Sequence, residues 1–239
     1  MTQPGCWIAE QYWTELAQHI SENNIGMLPV AAASKAHGPH LPMNTDYLQM
    51  QWLMNSLCET QPLRIWPILG YAYYPAFVNY HGSVSVDESV FMQTVMSVLE
   101  SMQRAGITRR VIINNGISTI PALQQLVEQQ ADIQLINVYD GEAYQQASAR
   151  CIENHDGGHA DEEETSIMLA LYPELVRKEL MAEGMCETKQ AGAFTIDDPQ
   201  AANYCPNGIY GDARLASVEK GLLLTQAILS DVSSQLANI

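Results

Sequence analysis

Along this chain, short apolar runs of strand length alternate with stretches of helical period, and that alternation constrains the fold more than any other feature. Residues 25–30 (IGMLPV), 63–69, 110–114 (RVIIN) and 133–138 read as buried strands. Residues 8–20, 46–57, 121–130 and 217–236 carry apolar positions at helical spacing, and Asp87 is placed to cap a further helix that reaches Arg104 and ends at Gly106. A strand-then-helix order of this kind predicts an α/β fold, with a mostly parallel sheet covered by helices on both faces. Residues 70–87, rich in Gly, Pro and aromatics, read as a long loop of the functional type. No repeat, low-complexity tract or linker composition divides the chain, so one domain over residues 1–239 is expected.

Composition narrows the partners. With 11 Lys plus Arg against 27 Asp plus Glu the formal charge is −16, which argues against nucleic acid and against an anionic membrane surface. No run of apolar residues is long enough to span a bilayer, and the opening MTQPGCWIAEQYW lacks a basic segment followed by an apolar one; a soluble, cytoplasmic protein is expected. The cysteines (Cys6, Cys58, Cys151, Cys186, Cys205) are odd in number, far apart and without a C-x-x-C, so free thiols are expected in place of disulfides or a thiolate zinc site. The 11 methionines are scattered over apolar faces and read as core filler.

In an open parallel sheet, ligands bind beyond the carboxyl ends of the strands, and three segments fit that location. Ser34-Lys-Ala-His-Gly-Pro-His-Leu-Pro-Met-Asn-Thr-Asp46 follows the first of these strands and offers His37, His40 and Asp46, donors suited to Zn²⁺, Mn²⁺ or Fe²⁺; Asp46 is equally placed to cap its helix. His155-Asp-Gly-Gly-His-Ala-Asp-Glu-Glu-Glu-Thr165 leads into an apolar helix. Its acidic run partly satisfies the helix dipole, with Asp161 and Glu164 on one face and Glu162 on another, and His159 suits acid–base work near neutral pH. Asn114-Asn-Gly-Ile-Ser-Thr119 follows RVIIN and supplies small polar groups but no strong metal ligand.

Taken together, these segments resemble the creatininase (creatinine amidohydrolase) family. LPVAAASKAHGPHLPMNTD resembles its opening E-x-H-G-P-H-L-P motif followed by Asp, HADEEETSIMLALYPELV its late H-A-G-x-x-E-T-S motif, and IINNGISTIPAL stands where its N-G-H-G-G-N motif falls. GIYGDARLA at 208–216 is similar to the family's closing segment. The resemblance implies a three-layer α/β/α fold, a homo-oligomer that is often a hexamer, and metal-dependent hydrolysis of a C–N bond in a small cyclic amide or related group. It implies metal ligation by His37, Asp46 and Glu164, and a catalytic role for His159.

The chain also departs from the pattern. Lys35 stands where the first-motif Glu belongs, Gly116 or Ile117 where the middle-motif His belongs, and Ser118 in place of a further Glu. An ammonium and a divalent cation repel each other in one pocket, so one metal ion is expected, zinc first, with manganese or iron as alternatives. Lys35 would neutralise Asp46 and stabilise a developing oxyanion, making it catalytic beside His159 and Glu162. Tyr74, His81, Asn115 and Ser118 are the expected substrate-binding residues, with the aromatics Tyr71, Tyr73, Phe77 and Tyr80 as further candidates. The alternative reading is a binding or structural member of the fold in which Lys35 pairs with Asp46 and no catalysis occurs.

Overall fold

The computed structural model describes residues 6–22, 25–130, 132–185 and 192–239; Cys186 lies outside them. Five parallel strands form one sheet in the order β1-β3-β2-β4-β5: β1 (Cys6–Trp7), β2 (Ile25–Val30), β3 (Arg64–Ile65), β4 (Arg109–Asn114) and β5 (Ile133–Asn137). The central pair is in full register, from Ile25 opposite Arg109 to Val30 opposite Asn114. The segment at 63–69 is strand over only two residues, after which Leu69 alone bridges back to Val30. Pro67 offers no N–H to a ladder, which is consistent with the early end.

Side chains alternate along the strands and so feed two cores. On one face Met27, Val111, Ile113 and Ile136 meet α2 (Thr45–Thr60), α5 (Glu142–Cys151), α6 (Glu162–Leu171) and α7 (Val218–Ala237), through residues such as Met54, Leu57, Ile167, Leu224 and Val232. On the other, Leu28, Val30, Ile112 and Ile133 meet α1 (Trp13–Glu22), α3 (Glu88–Arg104) and α4 (Ile120–Glu128) through Leu16, Phe91, Leu99, Leu123 and Leu126. This is the three-layer α/β/α architecture. Helix α3 ends where Gly106 adopts φ +101°, a conformation that disfavours side chains, and the chain then turns into β4.

The topology locates a crevice. After β2 the chain leaves to α2 on one face, and after β4 it leaves to α4 on the other, although the two strands are neighbours. Their loops therefore diverge and open a gap at the carboxyl end of the sheet, the place where such folds bind ligands. Among the described residues no helix is long and apolar enough to cross a membrane.

Candidate metal centre and active site

Three chain segments close on that crevice. The 34–46 loop after β2 is tied back by the Lys35 N–H, which donates to Met43 O (2.9 Å), and α2 starts against β2 as the Tyr47 N–H donates to Ala32 O (3.2 Å). The segment before α6 is pinned by exchange between His159 and Tyr210: the His159 N–H donates to Tyr210 O and the Tyr210 N–H to His159 O (3.2 and 2.9 Å). After β4, the Asn115 carboxamide donates to Asp46 O (2.8 Å), joining the middle segment to the first helix turn of α2.

Two imidazoles are oriented by the backbone. His37 Nδ1 lies 2.8 Å from Lys35 O and His159 Nε2 lies 2.6 Å from Ala36 O. A carbonyl only accepts, so each of these ring nitrogens carries the proton, and His37 Nε2 and His159 Nδ1 are the atoms turned toward the carboxylates. Glu164 Oε2 is 3.9 Å from His37 Nε2 and 3.7 Å from His159 Nδ1. The three donor atoms lie within 4.8 Å of one another. Ligand atoms about 2.0–2.1 Å from one tetrahedral ion are roughly 3.3 Å apart, so a small contraction would seat an ion among them. Two histidines and a glutamate are also a donor set that borderline divalent ions favour. The residues fit a metal.

Asp46 is held differently. Its Oδ2 meets Lys35 Nζ at 2.7 Å and its Oδ1 lies 3.0 Å from His37 Nε2. Burial works against its ionisation, but the Lys35 ammonium and His37 outweigh that and hold its carboxyl well below the usual range. The side chain serves these contacts and does not cap α2. Burial, followed by the neighbouring His37 and Lys35, keeps His159 well below the ordinary histidine value. Burial also raises Glu164, opposed by His37.

Helix α6 begins where the motif places the acidic run. The Asp161 carboxylate accepts from the N–H groups of Glu163 and Glu164 (3.0 and 3.2 Å), and the Ala160 N–H donates to Glu164 Oε2 (2.6 Å). Both carboxylates thus satisfy N-terminal amides in the manner of a capping box. Burial and the Glu164 charge push the Asp161 carboxyl up to about 8. Ala160 reaches this geometry at φ +49°, the one non-glycine with positive φ among the described residues.

A cavity of ≈ 380 Å³ opens beside these groups. Lys35, Tyr74, Asn115, Ser118, His159 and Glu164, all expected at the site, line it. Tyr74 is buried with Lys35 Nζ 5.7 Å from its ring centre, and Phe77 packs on the His159 ring at 3.9 Å. His37 and Asp46 lie just behind the wall, fully buried.

Two expected residues are elsewhere. Glu162, read as catalytic, is buried on the far side of α6: it pairs with Lys220 and accepts from the N–H groups of Glu153 (3.0 Å) and Asn154 (2.9 Å). Its backbone position turns it away from Glu164, and a cation from α7 holds it there. His81 is exposed at a turn and does not line the cavity, because the tight turn around Gly82 (φ +86°) points it outward. Of the other loop aromatics, Tyr71 is exposed, Tyr73 packs against the α3-side core and Tyr80 packs on Phe77.

Sequence reasoning missed the opposite wall, formed by Tyr139, Tyr144 and Glu163. The Tyr144 hydroxyl donates to Glu163 Oε2 (2.7 Å), and Ser148 donates to the other oxygen. Tyr139 lies two residues past the end of β5, so the strand-end rule that found the other segments would have found it too. The middle segment is built as a turn: Asn114 Oδ1 accepts from the Thr119 hydroxyl (2.7 Å) and the Gly116 N–H (3.2 Å). A Cβ at Gly116 would lie 3.0 Å from both Tyr74 Cε1 and Thr119 Oγ1, so a side chain there displaces the cavity wall. Ile117, the other position for the missing histidine, is 60% exposed.

The family profile described as creatinine amidohydrolase matches residues 9–236. The chain belongs to the creatininase family. Creatinine amidohydrolase of Pseudomonas putida is 26% identical, over 95% of this chain and 94% of that protein. The 3-dehydro-scyllo-inosose hydrolase of Thermotoga maritima is 22% identical, over 94% and 80%. Two solved creatininase structures, a Mn form and a Zn–Zn form of a mutant, superpose with TM-scores of 0.79 and 0.80 at 22% and 23% identity, each covering 97% of both chains. These likenesses show the creatininase fold.

Proposed function

We propose that this creatininase-family chain is a metal-dependent hydrolase that cleaves a C–N bond of a small cyclic amide or related amide, using one divalent ion held by His37, His159 and Glu164. The observation that carries this reading is the pair of imidazoles whose outer nitrogens are spent on Lys35 O and Ala36 O, which turns the inner ones to the carboxylates: His37 Nε2 to Asp46 (3.0 Å) and Glu164 (3.9 Å), and His159 Nδ1 to Glu164 (3.7 Å). A divalent ion bound there supplies Lewis acidity and an acidified water at neutral pH. Zinc is the first choice and manganese or iron the alternatives; relatives in Zn–Zn and Mn forms support a divalent ion.

The chain's own groups do the rest. Lys35 takes the place of a second cation beside Asp46 and lies on the cavity wall, where its ammonium stabilises an oxyanion forming on the substrate. Phe77 covers His159 and keeps water from its ring. Tyr74, Asn115 and Ser118 shape the cavity for the substrate. His159, expected as the acid–base group, is read here as a ligand because its unprotonated nitrogen faces Glu164.

The short Lys35–Asp46 contact also favours a second reading, a binding or structural member without catalysis. Chelation followed by readdition of zinc or manganese, assayed on creatinine and a panel of small lactams and cyclic ureides, separates the two. The hydrolase reading expects turnover that is lost with the metal and returns with it. Absence of turnover across the panel by fully metal-loaded protein favours the second. The same reading carries a cytoplasmic homo-oligomer, a hexamer first, for which light scattering should show a multiple of the 26.5 kDa chain mass.

A further inference from the structure

A small void of ≈ 10 Å³ lies behind the cavity wall, lined by Gln49, Asn115 and Tyr139 together with apolar side chains that include Leu53, Val138 and Ile167. It is about the size of one water molecule. Two polar atoms of its lining residues are buried with no hydrogen-bond partner in the protein: Gln49 Nε2, a donor, and Asn115 Oδ1, an acceptor. Neither amide can turn to relieve this without loss. The Asn115 nitrogen is committed to Asp46 O (2.8 Å), and Gln49 Oε1 accepts from the Tyr139 hydroxyl (2.9 Å). Leaving a donor and an acceptor both unmet in an apolar setting costs each of them its lost hydration. One molecule that accepts from the first and donates to the second removes both costs, and water does this.

We propose that this void holds one ordered water, and that through it Gln49 is a positioning residue of the site. The path runs from the Tyr139 hydroxyl to Gln49, through the water to Asn115, and on to the backbone of Asp46. It joins the wall after β5, the turn after β4 and the first turns of α2 into one path. The water site stands on geometry alone, whereas its bearing on substrate rests on the hydrolase reading above.

Crystal structures of the full chain and of Gln49→Met at about 1.5 Å test it. The wild type is expected to show one well-ordered water about 2.7–3.2 Å from both Gln49 Nε2 and Asn115 Oδ1. The variant keeps volume but removes both polar atoms; the water should leave and the Tyr139 hydroxyl should move off its present line. No water in the wild type, or an unmoved Tyr139 in the variant, overturns the proposal whatever the outcome for hydrolysis. In turnover, Gln49→Met should raise KM about tenfold with kcat and metal content within twofold of wild type. An equal fall in kcat and metal content would mean a general structural defect instead of positioning.

Discussion

Lys35 Nζ stands 2.7 Å from Asp46 Oδ2, with 13% and 1% of the two side chains exposed. A buried pair of this kind adds little net stability over an apolar pair, but removing one partner strands the other charge. Lys35→Met is therefore expected to cost about 3–5 kcal/mol in urea unfolding at pH 7, while Lys35→Met with Asp46→Asn should recover most of the loss. A single-variant cost below about 1 kcal/mol would mean that the pair is not formed in solution.

Lys35→Glu restores the carboxylate that the family motif has at this position, yet it should not create a second metal site. Neither Gly116 nor Ile117 offers a ligand atom, and a Cβ at Gly116 would already press on Tyr74. The expected outcome is unchanged or lower metal content and at least tenfold lower turnover, read by elemental analysis and kcat.

Acid should weaken the fold in two stages. Burial, with the nearby His37, lowers the pKa of His40 from 6.5 to about 4. Between those values the unfolded chain binds the proton and the folded one does not, so stability rises with pH across pH 4–6.5, by about 3 kcal/mol at most from this group. His40→Gln should flatten that slope in urea titrations at pH 4.5, 5.5 and 7. Asp46 acts lower: its depressed pKa contributes stability above the unfolded value near 3.8, and that is lost as pH falls further.

Glu162 and Lys220 test whether this carboxylate acts in catalysis or in the fold. Glu162 is fully buried and its carboxylate serves Lys220 and two backbone amides, so Glu162→Gln should lower the melting temperature and leave metal content and kcat within about twofold. A loss of a hundredfold or more in kcat with the fold intact would return Glu162 to the catalytic machinery.

Ala160 carries the strain of the α6 entry. Its φ of +49° costs an L side chain about 1 kcal/mol or more, which glycine avoids at some entropic expense. Ala160→Gly should leave stability level or raise it by up to about 1 kcal/mol, and Ala160→Val should lower it by more than 1 kcal/mol, both measured by thermal unfolding.

What the sequence made legible follows from how local each signal is. The strand at 25–30, the helix after Asp87 and the final helix from about Ser217 are legible from apolar period; Asp87 holds the N-cap position of α3 without a side-chain hydrogen bond, whereas the Ser217 hydroxyl accepts from the Lys220 N–H (3.3 Å). Helix α5, EAYQQASARC, was missed because only Tyr144 of its residues is fully buried, which leaves little period to read. Strand β1 escapes the sequence reading because two residues carry no period at all. At the site, residue types and their strand-end location were legible, but directions were not. That Glu162 turns to Lys220 depends on α7, 58 positions away, and that His81 turns outward depends on the backbone at Gly82.

Metal stoichiometry, measured by elemental analysis of the purified full chain after dialysis and titration with zinc, is the most direct test of the proposed centre. About one tightly bound divalent ion per chain is expected, lost in both His37→Ala and His159→Ala and retained in Glu162→Gln. Two tightly bound ions per chain would contradict the role given to Lys35, and no ion after zinc titration would contradict the metal centre itself.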